Sequence, residues 1–155
     1  MDKYETTAKY NLAETCCASI SIDELFSLSE NKTLQASDIL LTSSVQNYGE
    51  IRGSIKLREN LSRLYSAKVG TPLSTDNLLI TPGAIAANHL VLYSLLKPGD
   101  HVICQYPTYQ QLYSIPESLG AEVSLWKCKA EEKWLPSLEQ LEGLIKENTK
   151  LIIIK

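Results

Sequence analysis

Short apolar runs alternate with longer helical stretches through the second half of the chain. Each run has the length of a strand and is bounded by Gly, Pro or charged residues. The runs predict four strands, at residues 78–81, 102–105, 122–126 and 151–154. Because strands that alternate with helices are typical of an α/β fold, we predict a largely parallel sheet with helices on both faces.

Local start and stop signals indicate where the helices lie. Residues 84–96 lack Gly and Pro and are rich in Ala and Leu, so they predict a helix that ends before Pro98 and Gly99. The other predicted helices follow Ser54 and end near Gly70, cover residues 108–119 with a kink at Pro116, and begin at the capping-box patterns of Ser21 and Ser137.

The character of the sequence changes near residue 48. Residues 1–47 are largely polar and irregular, so we predict an N-terminal arm with one short helix. Residues 48–155 carry the alternation of strands and helices and are predicted to form a separate α/β unit. The chain has 155 residues, 44% hydrophobic and 21% charged, which is ordinary for a globular protein with a sizeable core.

Charge and cysteine content argue against several classes of function. A net charge of -3 gives no basic footprint, and no apolar segment is long enough to span a bilayer, so we expect neither nucleic acid nor membrane as a partner. The first residues lack an apolar signal region, which favours a cytoplasmic protein. The cysteines have no metal-site spacing and are predicted to be reduced thiols rather than metal ligands: Cys16, Cys17, Cys104 and Cys128.

Candidate chemistry lies at the turn before the Ala- and Leu-rich helix. Pro82 and Gly83 end the first predicted strand, and the helix begins at Ala84. A glycine turn at a helix start presents free backbone N–H groups at the positive end of the helix dipole, which suits an anion such as a phosphate. Tyr109, after the second strand, offers a flat aromatic face. Together they suit a ligand that is both phosphorylated and planar.

Several segments of the sequence, in order, resemble one enzyme family. They are Tyr48-Gly49-x-x-x-Gly53 with Leu57-Arg58, Asn77-Leu78-Leu79-Ile80-Thr81-x-Gly83-Ala84, Lys97-Pro98-Gly99-Asp100, Pro107-Thr108-Tyr109 and Thr149-Lys150-Leu151-Ile152-Ile153-Ile154. Their order and spacing are similar to those of the class I/II aminotransferases, which are pyridoxal-phosphate (PLP) enzymes of fold type I. The resemblance extends from about residue 48 to residue 155 and implies part of the large, PLP-binding domain.

The resemblance also implies roles for individual residues. Gly83, Ala84 and Ile85 match the positions that lie against the PLP phosphate through backbone N–H groups, and Tyr109 matches the aromatic residue that covers the pyridine ring. Tyr48 matches a tyrosine that reaches the phosphate of the partner across a homodimer interface. Arg58 is expected to form an ion pair on its helix. We expect His89, His101 and Lys155 to be structural or solvated.

The function implied by the resemblance is transfer of an amino group between an amino acid and a 2-oxo acid. None of the lysines matches the family's Schiff-base lysine, so we expect the chain to be an N-terminal part of a longer enzyme and inactive alone. A lyase, decarboxylase or cyclase of the same fold is an alternative. A non-catalytic, flavodoxin-like domain that binds a phosphorylated ligand is another, since it would also place a phosphate at a glycine turn.

Overall fold

A computed structural model describes residues 4, 7–10, 17–30, 33, 35–39, 43–45 and 47–155 of the chain. The chain divides into two compact units, Met1–Tyr48 and Gly49–Lys155. We describe each unit by itself. The division falls one residue from the boundary predicted between the N-terminal arm and the α/β unit.

The described residues of the first unit include two short helices, α1 (Ile22–Leu28) and α2 (Ala36–Ile39). The capping box predicted at Ser21 is confirmed, because its hydroxyl accepts from Glu24 N at 3.1 Å and its backbone N–H donates to the Glu24 carboxylate at 2.6 Å. The bond from the Ser21 backbone N–H, and after it the Ser21 hydroxyl, stabilise the ionised carboxylate and lower the Glu24 pKa. Most of residues 1–18, the beginning of the predicted arm, lie outside the described residues.

The second unit contains four α-helices, three strands and two 3₁₀ turns. In chain order they are α3 (Ile55–Val69), a 3₁₀ turn (Thr75–Asn77), α4 (Ala84–Leu95), β1 (His101–Tyr106), α5 (Gln111–Ser118), β2 (Glu122–Lys127), a 3₁₀ turn (Ala130–Glu132), α6 (Leu138–Leu144) and β3 (Thr149–Ile153). The start signals at Ser54 and Ser137 are confirmed, since each hydroxyl accepts from a backbone N–H of the first turn. Gly70 ends α3 in the left-handed conformation.

The three strands form one parallel sheet in the order β2-β1-β3. Leu92 and Leu96, at the end of α4, pack with Val102 of β1 to form the core on one face. Val123 joins that core, whereas Trp126, three residues later on β2, points to the opposite face and donates from Nε1 to Ser137 O at 2.8 Å. Helices therefore cover both faces, and the predicted α/β fold is confirmed.

His101 lies at the amino end of the central strand, fully buried. Its Nδ1 is 2.8 Å from Thr149 Oγ1 on β3, and its Nε2 is 2.9 Å from Ser124 Oγ on β2. One imidazole ring thus bridges all three strands, and the role of His101 is structural. Burial lowers its pKa, because the charged form loses hydration that two hydroxyl groups do not fully replace.

The strand predicted at residues 78–81 is wrong. The chain is extended at Leu78 (φ −115°, ψ 132°), but no residue of this segment belongs to the sheet. Its backbone hydrogen bonds to the preceding chain are a local one, from Leu78 N to Thr75 O at 3.2 Å, and a distant one, from Ile80 N to Arg52 O at 3.1 Å. An apolar run becomes a strand only when a neighbouring strand pairs with it, and the described part of the chain supplies none here.

Two contacts join the start of α3 to the chain that follows it: close packing of Gly53 on Ile80, and hydrogen bonds of Arg58. Gly53 has φ +88° and lies so close to Ile80 that a Cβ atom would be 2.4 Å from the Ile80 side chain. Arg58 is buried and donates from Nε to Gly53 O (3.1 Å) and from Nη1 to Thr75 O (3.0 Å). Among the described residues no carboxylate pairs with Arg58, so the ion pair predicted for it is replaced by bonds to backbone carbonyls.

Candidate functional site

The predicted phosphate site, called the phosphate cradle below, consists of Gly83, Ala84 and Ile85. It is a glycine turn followed by a helix start that no side chain caps. Gly83 has φ +86° and ψ 163°, a conformation that glycine adopts readily. The turn is fixed by hydrogen bonds from Gly83 N to Thr81 O (2.8 Å) and from Thr81 Oγ1 to Gly83 O (3.0 Å). No side chain caps α4, so the first N–H groups of the helix, including those of Ala84 and Ile85, keep their capacity to bind an acceptor.

The surroundings of this turn favour an anion. The first turn of α4 contains no acidic residue, and the helix has 12 residues, enough for its dipole to contribute at the N-terminus. A Cβ atom placed on Gly83 would meet no heavy atom within 4 Å, so the space beside the turn is open. Ala84 and Ile85 are exposed. The turn therefore suits a phosphate bound through backbone N–H groups alone.

Tyr109 lies in the loop between β1 and α5, just past the carboxyl end of the central strand. Its side chain is 47% exposed, which leaves ring surface available for stacking. The Lys155 ammonium group is 5.6 Å from the centre of this ring, a cation–π contact that the sequence did not predict. Next to it, Thr108 Oγ1 is buried without a hydrogen-bond partner among the described residues, so this hydroxyl is available to a ligand or a water molecule.

Gln111 joins the ring-bearing loop to the cradle. Its Nε2 donates to Ile85 O at 2.7 Å, and its Oε1 accepts from Asn88 Nδ2 at 3.2 Å. Gln111 and Asn88 are both half-buried. The start of α5, two residues after Tyr109, is thereby bonded to the first turn of α4. Sequence reasoning missed both residues, because two glutamines follow Tyr109 and nothing in the local pattern distinguishes Gln111 from Gln110.

The carboxyl ends of the three strands also meet at this edge of the sheet. Gln105, near the end of β1, accepts from Lys155 N through Oε1 at 3.2 Å and donates from Nε2 to Cys128 Sγ at 3.7 Å. Ligands of open α/β sheets bind outside the carboxyl ends of the strands. Tyr109 directly follows this edge, and Gln111 links Tyr109 to the cradle, so the candidate site has the expected location.

The described cysteines take no part in this site as nucleophiles or ligands. Cys17, Cys104 and Cys128 are free thiols, as predicted, and Cys16 lies outside the described residues. Burial raises the pKa of Cys104, which keeps its sulfur protonated and unreactive. In the described ranges, His, Cys, Asp and Glu form no group of three that could hold a metal ion. Nor do those ranges include a helix with the length and apolar character needed to cross a membrane.

The side chain of Tyr48 does not pack against its own unit. It is the last residue of the first unit, and its side chain is fully exposed. Its predicted role across a homodimer interface stays a prediction. His89, predicted to be structural or solvated, is exposed and stacks on Tyr93 with 5.9 Å between ring centres.

The residues present fit a planar, phosphorylated group such as PLP. The uncapped start of α4 offers backbone donors for a phosphate, and the open space beside Gly83 leaves room for it. Tyr109 offers a partly exposed ring on which a pyridine could stack. No acidic side chain lies in the first turn of α4 to repel the phosphate. The fit rests on backbone donors and one aromatic face, not on charged side chains.

Comparisons with known proteins give the same indication. The sequence pattern of a family described as "Aminotransferase class I and II" matches residues 22–155. The chain resembles a solved PLP-dependent aminotransferase from Streptococcus suis with 47% sequence identity and a TM-score of 0.74, over 87% of this chain and 34% of that one.

Curated relatives are similar over a large part of this chain but are much longer. Tyrosine aminotransferase of Mus musculus is 29% identical over 117 residues, which cover 76% of this chain and 26% of the mouse protein. A probable aspartate aminotransferase of Methanocaldococcus jannaschii is 27% identical over 144 residues, which cover 93% of this chain and 38% of the archaeal protein. The chain thus spans well under half of the length of each relative.

Proposed function

This chain belongs to the aminotransferase class I and II family, and from that membership we propose that it forms the part of an aminotransferase that holds the phosphate and the ring of PLP. The fold, a partial large domain of fold type I, is that of the solved relatives, and the family is generally PLP-dependent. The proposed reaction is transfer of an amino group between an amino acid and a 2-oxo acid.

The observation that carries this proposal is that Gln111, two residues after Tyr109, hydrogen-bonds to Ile85 and Asn88 of the helix that begins at the cradle. Either part alone would be unspecific, since many α/β proteins contain a strand-to-helix turn and most contain exposed tyrosines. A phosphate site and an aromatic platform at a fixed separation suit a ligand in which a phosphate and a flat ring are covalently joined. PLP is such a ligand.

Each residue of the proposed site has a defined task. The backbone N–H groups of Ala84 and Ile85 bind the phosphate, and Gly83 permits the turn that exposes them. Tyr109 fixes the plane of the ring and limits its motion without adding charge. When bound, PLP supplies the electron sink for the reaction, and the protein contributes orientation and electrostatics.

A homodimer completes this proposal. The exposed Tyr48 would extend from one protomer to the phosphate held by its partner, a role that requires a side chain free of contacts in its own unit. A cytoplasmic location stays a prediction. The named relatives are all aminotransferases, which favours amino-group transfer over the lyase, decarboxylase or cyclase alternatives.

The proposal is tested by removing the ring of Tyr109 and, separately, its hydroxyl. Tyr109→Ala should weaken the affinity for pyridoxamine 5′-phosphate roughly tenfold, because stacking contributes about 1.5 kcal/mol. Tyr109→Phe keeps the ring and should bind within about twofold of the unchanged chain. Pyridoxamine 5′-phosphate is the suitable probe because it has no aldehyde and cannot react with surface lysines. Isothermal titration calorimetry gives the dissociation constants, and equal losses in both variants would count against stacking.

A further inference from the structure

The cradle and Tyr109 come from separate elements whose relative position depends on side-chain contacts. The cradle belongs to the start of α4, and Tyr109 belongs to the loop before α5. Gln111 uses both ends of its amide: Nε2 donates to Ile85 O at 2.7 Å, inside the first turn of α4, and Oε1 accepts from Asn88 Nδ2 at 3.2 Å, one turn later. Both partners of Gln111 therefore lie on the helix that carries the cradle.

We propose that Gln111 is a positioning residue that sets the distance between the phosphate cradle and the stacking ring. This inference rests on the proposed function, because it assigns Gln111 a role in binding the same planar, phosphorylated ligand. Gln111 acts through the Ile85 carbonyl and through Tyr109, two residues away along the chain, and does not itself contact the ligand. Asn88 holds the Gln111 amide in the orientation that points Nε2 at Ile85 O.

The proposal follows from the rigidity of the ligand. In a phosphorylated pyridine the phosphate and the ring are joined by a short linker, so both contacts form together only when the cradle and the platform are held at a matching separation. A site that is already ordered loses less entropy on binding than one whose loop must first find its position. The Gln111–Ile85 bond is exposed, whereas the bond from Asn88 that orients the Gln111 amide is partly buried and so exchanges less readily with water.

This role differs measurably from a contribution to stability alone. If Gln111 only helps α4 and α5 to pack, its loss lowers stability and affects every ligand of the cradle alike. If Gln111 sets the spacing, its loss weakens binding of a ligand that uses both contacts. Inorganic phosphate uses the cradle only, so its affinity should not change. The ratio of the two affinities therefore separates the roles.

The test compares Gln111→Ala with Gln110→Ala in the 155-residue chain. Gln110 is the same residue type at the adjacent position, and its side chain does not cap α5. Dissociation constants are measured by calorimetry for pyridoxamine 5′-phosphate and, by competition, for inorganic phosphate. We expect Gln111→Ala to weaken the affinity for pyridoxamine 5′-phosphate about tenfold and to leave the affinity for inorganic phosphate within about twofold of its original value. Gln110→Ala should change neither affinity.

A second variant guards against misfolding. Gln111→Met keeps the length of the side chain and adds no charge near the cradle, but it can neither donate to Ile85 O nor accept from Asn88. Its affinity for pyridoxamine 5′-phosphate should therefore fall about as much as that of Gln111→Ala. Circular dichroism melts of each variant show whether the fold is retained. Should Gln111→Ala fail to fold, Gln111→Met is compared in its place.

The outcomes separate this inference from the proposed function. If the unchanged chain binds pyridoxamine 5′-phosphate and the Gln111 variants lose both ligands equally, or neither, Gln111 does not set the spacing, while the proposed function stands. If the unchanged chain binds inorganic phosphate but pyridoxamine 5′-phosphate no more tightly, there is no ring platform, and both are overturned. If the Gln111 variants lose affinity for pyridoxamine 5′-phosphate but not for inorganic phosphate, the inference is confirmed.

Discussion

Replacing Gly53 by alanine should lower the free energy of unfolding by roughly 2–5 kcal/mol, because a clash and backbone strain add together. The added Cβ would lie 2.4 Å from both Cβ and Cγ1 of Ile80, a separation at which something must move. Ile80 is half-buried and can retreat only by disturbing the extended segment before the cradle. In addition, φ +88° is unfavourable for any residue with a Cβ. Urea unfolding followed by circular dichroism measures the change.

Gly49→Ala is the matched control for this prediction. Gly49 is the first glycine of the same motif, but a Cβ placed there meets no heavy atom within 4 Å, and its φ is not positive. We expect its effect on unfolding to stay within about 0.5 kcal/mol. Similar urea midpoints for the two variants would contradict the assignment of Gly53 as a contact point between the start of α3 and Ile80.

His101→Ala should lower the free energy of unfolding by roughly 2–4 kcal/mol, since it opens a cavity and removes a partner of two half-buried hydroxyl groups. Ser124 on β2 and Thr149 on β3 would both lose their side-chain bond to the central strand. His89→Ala is the matched control. His89 is exposed, so its loss should cost no more than about 0.5 kcal/mol. Equal destabilisation by the two changes would show that the bridge across the strands does not contribute.

His101 should also make the free energy of unfolding depend on pH. The pKa of His101 in the folded chain is lowered from its usual 6.5, first by burial and then by the nearby Lys146 charge, with a smaller opposing effect of Glu122. Below pH 6.5 the unfolded chain therefore binds more protons than the folded chain, so the free energy of unfolding falls as the pH drops through this range. His101→Asn should remove this slope. Glu122 makes a separate contribution, because the hydrogen bond and charge of Lys146 lower its pKa from 4.5. In the His101→Asn variant, the free energy of unfolding should therefore still fall as the pH drops below 4.5.

Features with a local cause could be predicted from the sequence. The capping box at Ser21, the glycine that ends α3 and the uncapped start of α4 depend on residues within one or two turns, and each lies where the pattern indicated. The strands predicted at residues 102–105, 122–126 and 151–154 are also confirmed, because their apolar runs pair with one another in the parallel sheet.

Features that depend on a distant partner could not be predicted in the same way. The apolar run at residues 78–81 resembles a strand locally, but pairing is a property of two segments. The bond between Gln111 and Ile85 O joins residues 26 positions apart, and no periodic pattern encodes it. Arg58 was expected to pair with a carboxylate, but its guanidinium bonds to two carbonyl groups that the fold brings to it.

The central claim is that the backbone at the start of α4 binds the phosphate of a planar ligand that stacks on Tyr109. The most direct test is a titration of the ¹⁵N-labelled chain with pyridoxamine 5′-phosphate, followed by amide NMR, with unphosphorylated pyridoxamine as the comparison. We predict that the amide signals of Gly83, Ala84 and Ile85 move with the phosphorylated ligand and not with pyridoxamine. Shifts confined to other parts of the chain, or equal shifts with both ligands, would contradict the account.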